Sequence, residues 1–353
     1  MTILWRYHLA LEFPEEIDAL RAELSGCRIT VAEERTEFER MLPDADIVVS
    51  GPLSAEEVRA AVRMKAHFLP YAGVNALPLA DYAERGIVVA NSHGNAAIVA
   101  ERAVTLALAA AGRIVEFHNG LAAGLWARRD GRAQIFEYWR SLQGAECAVI
   151  GTGRIGRRIA ELLRGFDCTV VGVRRRAAVA GEDGPFTRVT TDGGQAIETA
   201  AVVFLAVPLT DATRALIDAQ AISRMNGAIL VNVSRGEIID EHALYRSLCE
   251  HAGAGDAAKT SATGPAGRTP ARRKPGVAAA GIDCWWRYPD SFTDVQLPSR
   301  LPFHRLPNVV MSPHAGSHTV EGKRGQLAET LENIRTYVNS GRPAAAVDLH
   351  AGY

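Results

Sequence analysis

The chain has 353 residues, 48% of them apolar, with 39 basic against 40 acidic side chains. That length exceeds one ordinary core, so two domains are expected in a globular protein. A formal net charge of −1 argues against a general nucleic-acid binder, which would carry a basic excess.

No apolar run is long enough to span a bilayer, and Met1 to Tyr7 lacks the apolar segment of a secretory leader, so a cytoplasmic location without membrane contact is expected. Cys27, Cys147, Cys168, Cys249 and Cys284 are scattered, odd in number and show no Cys-x-x-Cys. They read as reduced thiols, with neither a disulfide framework nor a metal site.

Residues 2–8 read as a strand, and Pro14 to Leu24 as an amphipathic helix with proline near its start. Asp44 to Ser50 is a second strand, ended by Gly51-Pro52. Ala66 to Tyr71 and Gly86 to Asn91 are two more. Strands alternating with helices imply a parallel, doubly wound sheet. Asn95 to His118 repeats apolar residues at helical spacing (Ala96, Val99, Ala103, Leu106, Ala110) and is expected to be one long helix. The stretch from Leu121 to Leu142 holds Trp126, Phe136, Tyr138 and Trp139, which suit either a core or a subunit contact.

An apolar run, Ala145 to Ile150, then enters Gly151-Thr152-Gly153-Arg154-Ile155-Gly156, and a helical pattern leaves it at Arg157. In Gly-x-Gly-x-x-Gly at a strand-to-helix turn, Gly151 makes the tight bend. Gly153 admits a pyrophosphate to the backbone, and Gly156 lets helix and strand pack closely. The helix start offers free N–H groups to phosphates. Glycines can mark a bare turn, but this context favours dinucleotide binding.

Further strands are expected at 168–173, 201–207, 227–233, 277–283 and 308–311. Asp240 is expected to cap a helix through His251, and Thr319 to Asn339 to form a last helix. Ala252 to Pro275 is rich in Ala, Gly, Thr and Pro with a basic end, Arg268 to Lys274. It reads as a flexible surface insertion. The strand after the glycine turn ends Val173-Arg174-Arg175-Arg176, without the acid that commonly binds a ribose 2′-hydroxyl. A guanidinium suits a 2′-phosphate. Arg174 and Arg175 therefore favour NADP(H) over NAD(H), against the plain reading of a solvated basic loop.

From the glycine turn onward the chain resembles the D-isomer-specific 2-hydroxyacid dehydrogenases. The resemblance rests on four motifs in order: Gly151 to Gly156; Val207-Pro208-Leu209-Thr210 with Thr213; Asn232-Val233-Ser234-Arg235-Gly236 with Asp240; and Ser312-Pro313-His314-Ala315-Gly316. It implies two doubly wound domains. A flavodoxin-like substrate domain would comprise 1–93 and 318–353. A Rossmann dinucleotide-binding domain would comprise 94–317, with the insertion at 252–275. It also implies a homodimer, for which the aromatic segment from Trp126 to Trp139 is suited.

The resemblance assigns Arg235 to the substrate carboxylate, where pairing with Asp240 or Glu241 is the plain alternative. His314 becomes the general acid/base, with His318 a weaker candidate. Ala72 and Gly73 become a carboxylate cradle through backbone N–H groups. Asp283 is placed near the nicotinamide carboxamide, and Pro208, Val233 and Gly316 belong to the cofactor motifs. One departure stands out. Tyr288 occupies the position of the family's glutamate beside the catalytic histidine, so His314 is expected to work with a lower pKa or in a weakened enzyme. Asp290 or Glu12 could substitute. Trp285 and Trp286 suit either an active-site wall or the core.

The reading is an NAD(P)H-dependent reductase of a small 2-oxoacid, or the reverse oxidation of a D-2-hydroxyacid. The domains would hinge around substrate. Alternatives are a dinucleotide-sensing, corepressor-like protein and a branch acting on formate or phosphonate.

Overall fold

Buried β-branched runs separated by amphipathic helices can satisfy their backbone only in parallel sheets covered on both faces. Two such sheets are present in the computed structural model, which describes residues 1–126, 139–176, 183–257, 274–291 and 293–353. The chain divides into two compact units, Met1–Ala96 with His318–Tyr353, and Ala97–Ser317.

The first unit holds β1 (Thr2–Arg6), β2 (Arg28–Val31), β3 (Ile47–Ser50), β4 (Ala66–Phe68) and β5 (Val88–Ala90). Their order is β2-β1-β3-β4-β5 and every pairing is parallel, which is the flavodoxin-like arrangement. Successive residues face opposite sides, so Trp5 joins one core with Ile17, Leu20 and Phe68. Leu4 joins the other with Phe38, Val58 and Tyr82. The helix Val320–Ser340, capped by the Thr319 side chain accepting from Gly322 N–H at 2.9 Å, brings Leu327, Leu331 and Ile334 to the first of these cores. β2 was not anticipated. It is an edge strand with one exposed and two half-buried residues, so it lacks the continuous apolar run that marks a central strand.

The second unit holds β6 (Glu146–Ile150), β7 (Thr169–Val173), β8 (Arg188–Thr190), β9 (Val202–Leu205), β10 (Asn226–Asn232), β11 (Gly276–Ile282) and β12 (Val309–Met311). Their order is β12-β11-β10-β9-β6-β7-β8, again all parallel. Read from β8, this is the dinucleotide-binding order with one strand added.

Several sequence expectations need correction. The single helix over 95–118 is two, Ala96–Ala111 and Ile114–Ala122. Gly112 weakens the ladder, and Arg113 turns into the left-handed region at φ +52°, which breaks the run. The helix capped by Asp240 extends to Ala257, six residues into the stretch read as an insertion. Residues 258–273, including its basic end at Arg268, lie outside the described residues, as do Phe136 and Tyr138. Trp126 and Trp139 are 71% and 61% exposed, so neither is a core residue within this chain. All five cysteines are free. No helix among the described residues is long and apolar enough to cross a membrane.

His67 on β4 is fully buried. Its Nδ1 lies 2.7 Å from the Tyr82 hydroxyl and its Nε2 2.9 Å from Ser50 Oγ, while Ser50 Oγ donates to the Gly51 carbonyl at 2.9 Å. The network closes if Tyr82 donates to a neutral ring and the ring donates to Ser50. Burial lowers the His67 pKa to about 3. The unfolded chain therefore binds the extra proton below its ordinary value, and stability present above pH ~6.5 is lost as pH falls. Between pH 7 and pH 5, urea unfolding should lose about 2 kcal/mol through this group. His67→Gln should remove that increment; an unchanged pH dependence would refute the assignment.

Candidate active site

Five adjacent strands, β6, β9, β10, β11 and β12, point the same way. Their C-terminal ends therefore share one edge, where open α/β sheets bind ligands. Every candidate predicted in the second unit except the arginines after β7 follows one of these five strands.

Gly151 follows β6 at φ +107°, and a Cβ there would meet the Ala206 carbonyl oxygen at 2.3 Å. A Cβ on Gly156 would meet the Gly151 carbonyl oxygen at 1.9 Å, so both positions require glycine. A Cβ on Gly153 would enter open space. Gly153 precedes the helix Arg154–Leu163, whose N-terminus no side chain caps. The N–H groups of Arg154, Ile155 and Gly156 thus begin a helix beside clear backbone, which fits the pyrophosphate of a nicotinamide dinucleotide. Arg174 and Arg175 follow β7, half-buried and exposed respectively. At the end of β9, exposed Pro208 offers its carbonyl to Thr213 Oγ1 at 2.6 Å.

Beyond β10, Asn232 is fully buried and fixes the turn. Its Nδ2 donates to the Arg235 carbonyl at 2.9 Å and to the Cys284 carbonyl at 3.4 Å, and its Oδ1 accepts from Ser234 N–H at 3.0 Å. Ser234 Oγ donates to the Leu205 carbonyl and accepts from Val207 N–H, joining the ends of β9 and β10. Val233 is buried between these groups. The Arg235 guanidinium donates to the Ser234 carbonyl at 2.7 Å. The surface-pair alternative does not hold. Asp240 accepts from Ala243 N–H, Glu241 accepts from Ser299 Oγ, and no ion pair to Arg235 forms among the described residues.

His314 follows β12 with φ +55°, a left-handed backbone that a side chain makes costly. Asp283, just past β11 and 2% exposed, holds it there. Oδ1 accepts from Ser312 Oγ and from Ala315 N–H at 3.0 Å; Oδ2 accepts from Gly316 N–H at 3.0 Å. Trp285 Nε1 donates to the Ser312 carbonyl at 2.8 Å. Asp283, expected near the nicotinamide, thus spends bonds on the histidine turn, and Ser312 is a positioning residue that sequence reading missed. Its signal was the short Ser-Pro before the histidine, which gave no hint of the partner 29 residues away.

Tyr288 lies beside this turn, with its ring centroid 5.4 Å from that of His314 at 52°. Its hydroxyl accepts from Trp285 N–H at 3.1 Å. Desolvation raises the phenol above its ordinary pKa, with the Cys284 thiol adding to the rise, so it stays uncharged at neutral pH. Cys284 is 1% exposed. Burial and neighbouring Asp283 push its thiol up to about 12, against Arg235 and the Tyr288 hydroxyl. Arg235, Cys284, Tyr288 and His314 therefore form one cluster in which Tyr288 is a neutral neighbour of the histidine. Trp285 and Trp286 pack with Phe303 at 6.0 and 5.4 Å, which places Trp285 in the core and half-buried Trp286 against it.

In the first unit, Ala72 and Gly73 lie in the half-buried loop after β4. Glu12 is engaged by Lys323 Nζ at 2.6 Å, and His318 belongs to this unit while His314 belongs to the other. Asp290 is exposed. No group of three or more metal-ligating side chains occurs among the described residues.

Comparison with known proteins extends this picture. Residues 104–263 match the family described as D-isomer specific 2-hydroxyacid dehydrogenase, NAD binding domain. A hydroxypyruvate reductase of Thermotoga maritima is 27% identical over 340 residues, covering 93% of this chain and 97% of that protein. A D-3-phosphoglycerate dehydrogenase of Methanocaldococcus jannaschii is 27% identical over 343 residues, covering 91% of this chain but 58% of that protein. The crystal structure of a glyoxylate reductase from Paecilomyes thermophila superposes with a TM-score of 0.75 at 19% identity, covering 99% of both chains, a likeness of fold. Motifs, sheet order and relatives agree in supporting the D-isomer-specific 2-hydroxyacid dehydrogenase family of oxidoreductases, whose NAD-binding domain residues 104–263 match.

Proposed function

We propose that this chain reduces a small 2-oxoacid to the D-2-hydroxyacid with a nicotinamide dinucleotide, or runs the reverse oxidation. The observation that carries the reading is the convergence of Arg235, Asp283 and His314 just past three neighbouring parallel strands, β10, β11 and β12. The names of the relatives, a hydroxypyruvate reductase and a phosphoglycerate dehydrogenase, support that chemistry. A dinucleotide sensor would need neither an arginine for a carboxylate nor a strained histidine.

When bound, the nicotinamide supplies a hydride to the carbonyl carbon. Arg235 binds the substrate carboxylate and polarises the adjacent carbonyl. Ala72 and Gly73 offer backbone N–H groups to a substrate carboxylate. The His314 imidazolium gives its proton to the carbonyl oxygen, so that hydride and proton together complete the alcohol. The Asp283 clamp keeps the ring in place for that transfer. Tyr288 packs against the ring and brings no negative charge of its own to it, whereas a carboxylate at this position would raise the imidazolium pKa. The cofactor preferred is NADP(H), through Arg174 and Arg175.

The test is oxidation of NADPH and NADH followed spectrophotometrically against glyoxylate, hydroxypyruvate, pyruvate and phenylpyruvate. Arg235→Ala should lower kcat/KM by roughly 10²- to 10³-fold and His314→Ala by roughly 10²- to 10⁴-fold; activity surviving both substitutions would refute the mechanism. In Tyr288→Glu, the alkaline limb of the reduction profile should move up by about one pH unit. A superimposable profile would mean that this position does not tune His314. Arg174→Asp with Arg175→Ala should lower the NADPH-to-NADH ratio of kcat/KM by about tenfold or more, and an unchanged ratio would remove the cofactor assignment.

A further inference from the structure

We infer that Asn91 is a positioning residue that aims the Gly73 amide at a substrate carboxylate; the inference rests on the reading that Ala72 and Gly73 bind this group. β4 and β5 are parallel neighbours, so the loop after β4 and the segment after β5 emerge side by side. Asn91, the first residue past β5, is 6% exposed and its Nδ2 donates to the Ala72 carbonyl at 2.6 Å.

That bond fixes more than a carbonyl. Ala72 C=O and Gly73 N–H belong to one planar trans peptide and point to opposite sides of it. A donor that captures the oxygen from the interior turns the N–H away from itself. No backbone carbonyl among the described residues accepts from Gly73 N–H, so this donor is left for another acceptor. The neighbouring carbonyl is tied in the same way, with Tyr71 C=O accepting from Ser92 N–H at 3.2 Å.

Asn91 is itself held. Its carbonyl accepts from Asn333 Nδ2 at 3.2 Å, and Asn333, 1% exposed, accepts from Ala345 N–H at 3.0 Å. Ser92 Oγ donates to the Gln326 carbonyl at 3.0 Å. The carboxy-terminal helix therefore fixes the 91–92 segment, and the segment fixes the Tyr71–Gly73 loop. An aspartate at 91 would offer only acceptors to Ala72 C=O, so the amide nitrogen is the functional atom.

The experiment uses the full chain with NADPH or NADH, in the variants Asn91→Ala and Asn91→Ser. Four quantities are read: KM and kcat for glyoxylate, cofactor Kd, the Kd of oxamate in the presence of cofactor, and the thermal midpoint. Oxamate is a carboxylate isostere of pyruvate that cannot accept hydride. The expected result is a rise of about 10- to 100-fold in glyoxylate KM and oxamate Kd, with kcat within about threefold and cofactor Kd unchanged. If Asn91→Ala does not fold, Asn91→Ser carries the same test. A folded variant with KM and oxamate Kd within about twofold of wild type overturns the inference. So does a loss shared equally by kcat, cofactor affinity and thermal midpoint, which would mark a merely structural asparagine. A wild-type protein that neither turns over a 2-oxoacid nor binds oxamate overturns the functional reading and this inference with it, whereas an active wild type with unaffected variants removes the inference alone.

Discussion

A buried carboxylate has to be matched by donors, and that requirement shapes the active edge of the second unit. Asp283 lies almost wholly out of solvent, where an unpaired charge would cost several kcal/mol. Its three donors all come from the Ser312–Gly316 segment. The backbone can supply two of them only by turning tightly, and the turn places His314 in the left-handed region. A conformation that costs about 1–3 kcal/mol by itself is thus offset by the bonds it permits. The strained residue is the one whose side chain carries the proposed proton, so the carboxylate acts on chemistry without touching it.

Parallel sheets make such an arrangement accessible from distant parts of a sequence. Loops following neighbouring strands must emerge together, whatever their separation along the chain. Asn232, Asp283 and Ser312 are brought into one network in this way, as are Ala72 and Asn91 in the first unit, where Asn333 joins them from the helix Val320–Ser340. Each network turns on a buried polar side chain with several bonds, the kind of group whose removal costs more than the bond itself.

This explains what could be read from the residues and what could not. Central strands such as Ile47–Ser50 and Val202–Leu205 announce themselves by continuous burial, and the glycine turn by three positions with separate steric reasons. Edge strands β2 and β8 are only partly buried and carry little pattern. The break at Arg113 depends on one backbone angle. Arg235 and His314 could be proposed from the residues because they sit in motifs at strand ends. Ser312 and Asn91 were overlooked because their meaning lies in a partner on another segment, which periodicity does not encode. Tyr288 was recognised as a departure, but its ring contact with His314 and its bond to Trp285 N–H required the fold.

The carboxy-terminal helix has a further consequence, for the order in which the chain can fold. The second unit is contiguous from Ala97 to Ser317, while the first needs His318–Tyr353 to be complete. Until those residues leave the ribosome, Trp5 and Phe68 lack the cover that Leu327, Leu331 and Ile334 provide. Synthesis normally lets the amino-terminal domain fold first. Here the sequence of events is inverted: the dinucleotide-binding unit can close while the earlier-made sheet waits, half covered, for the later-made helix Val320–Ser340.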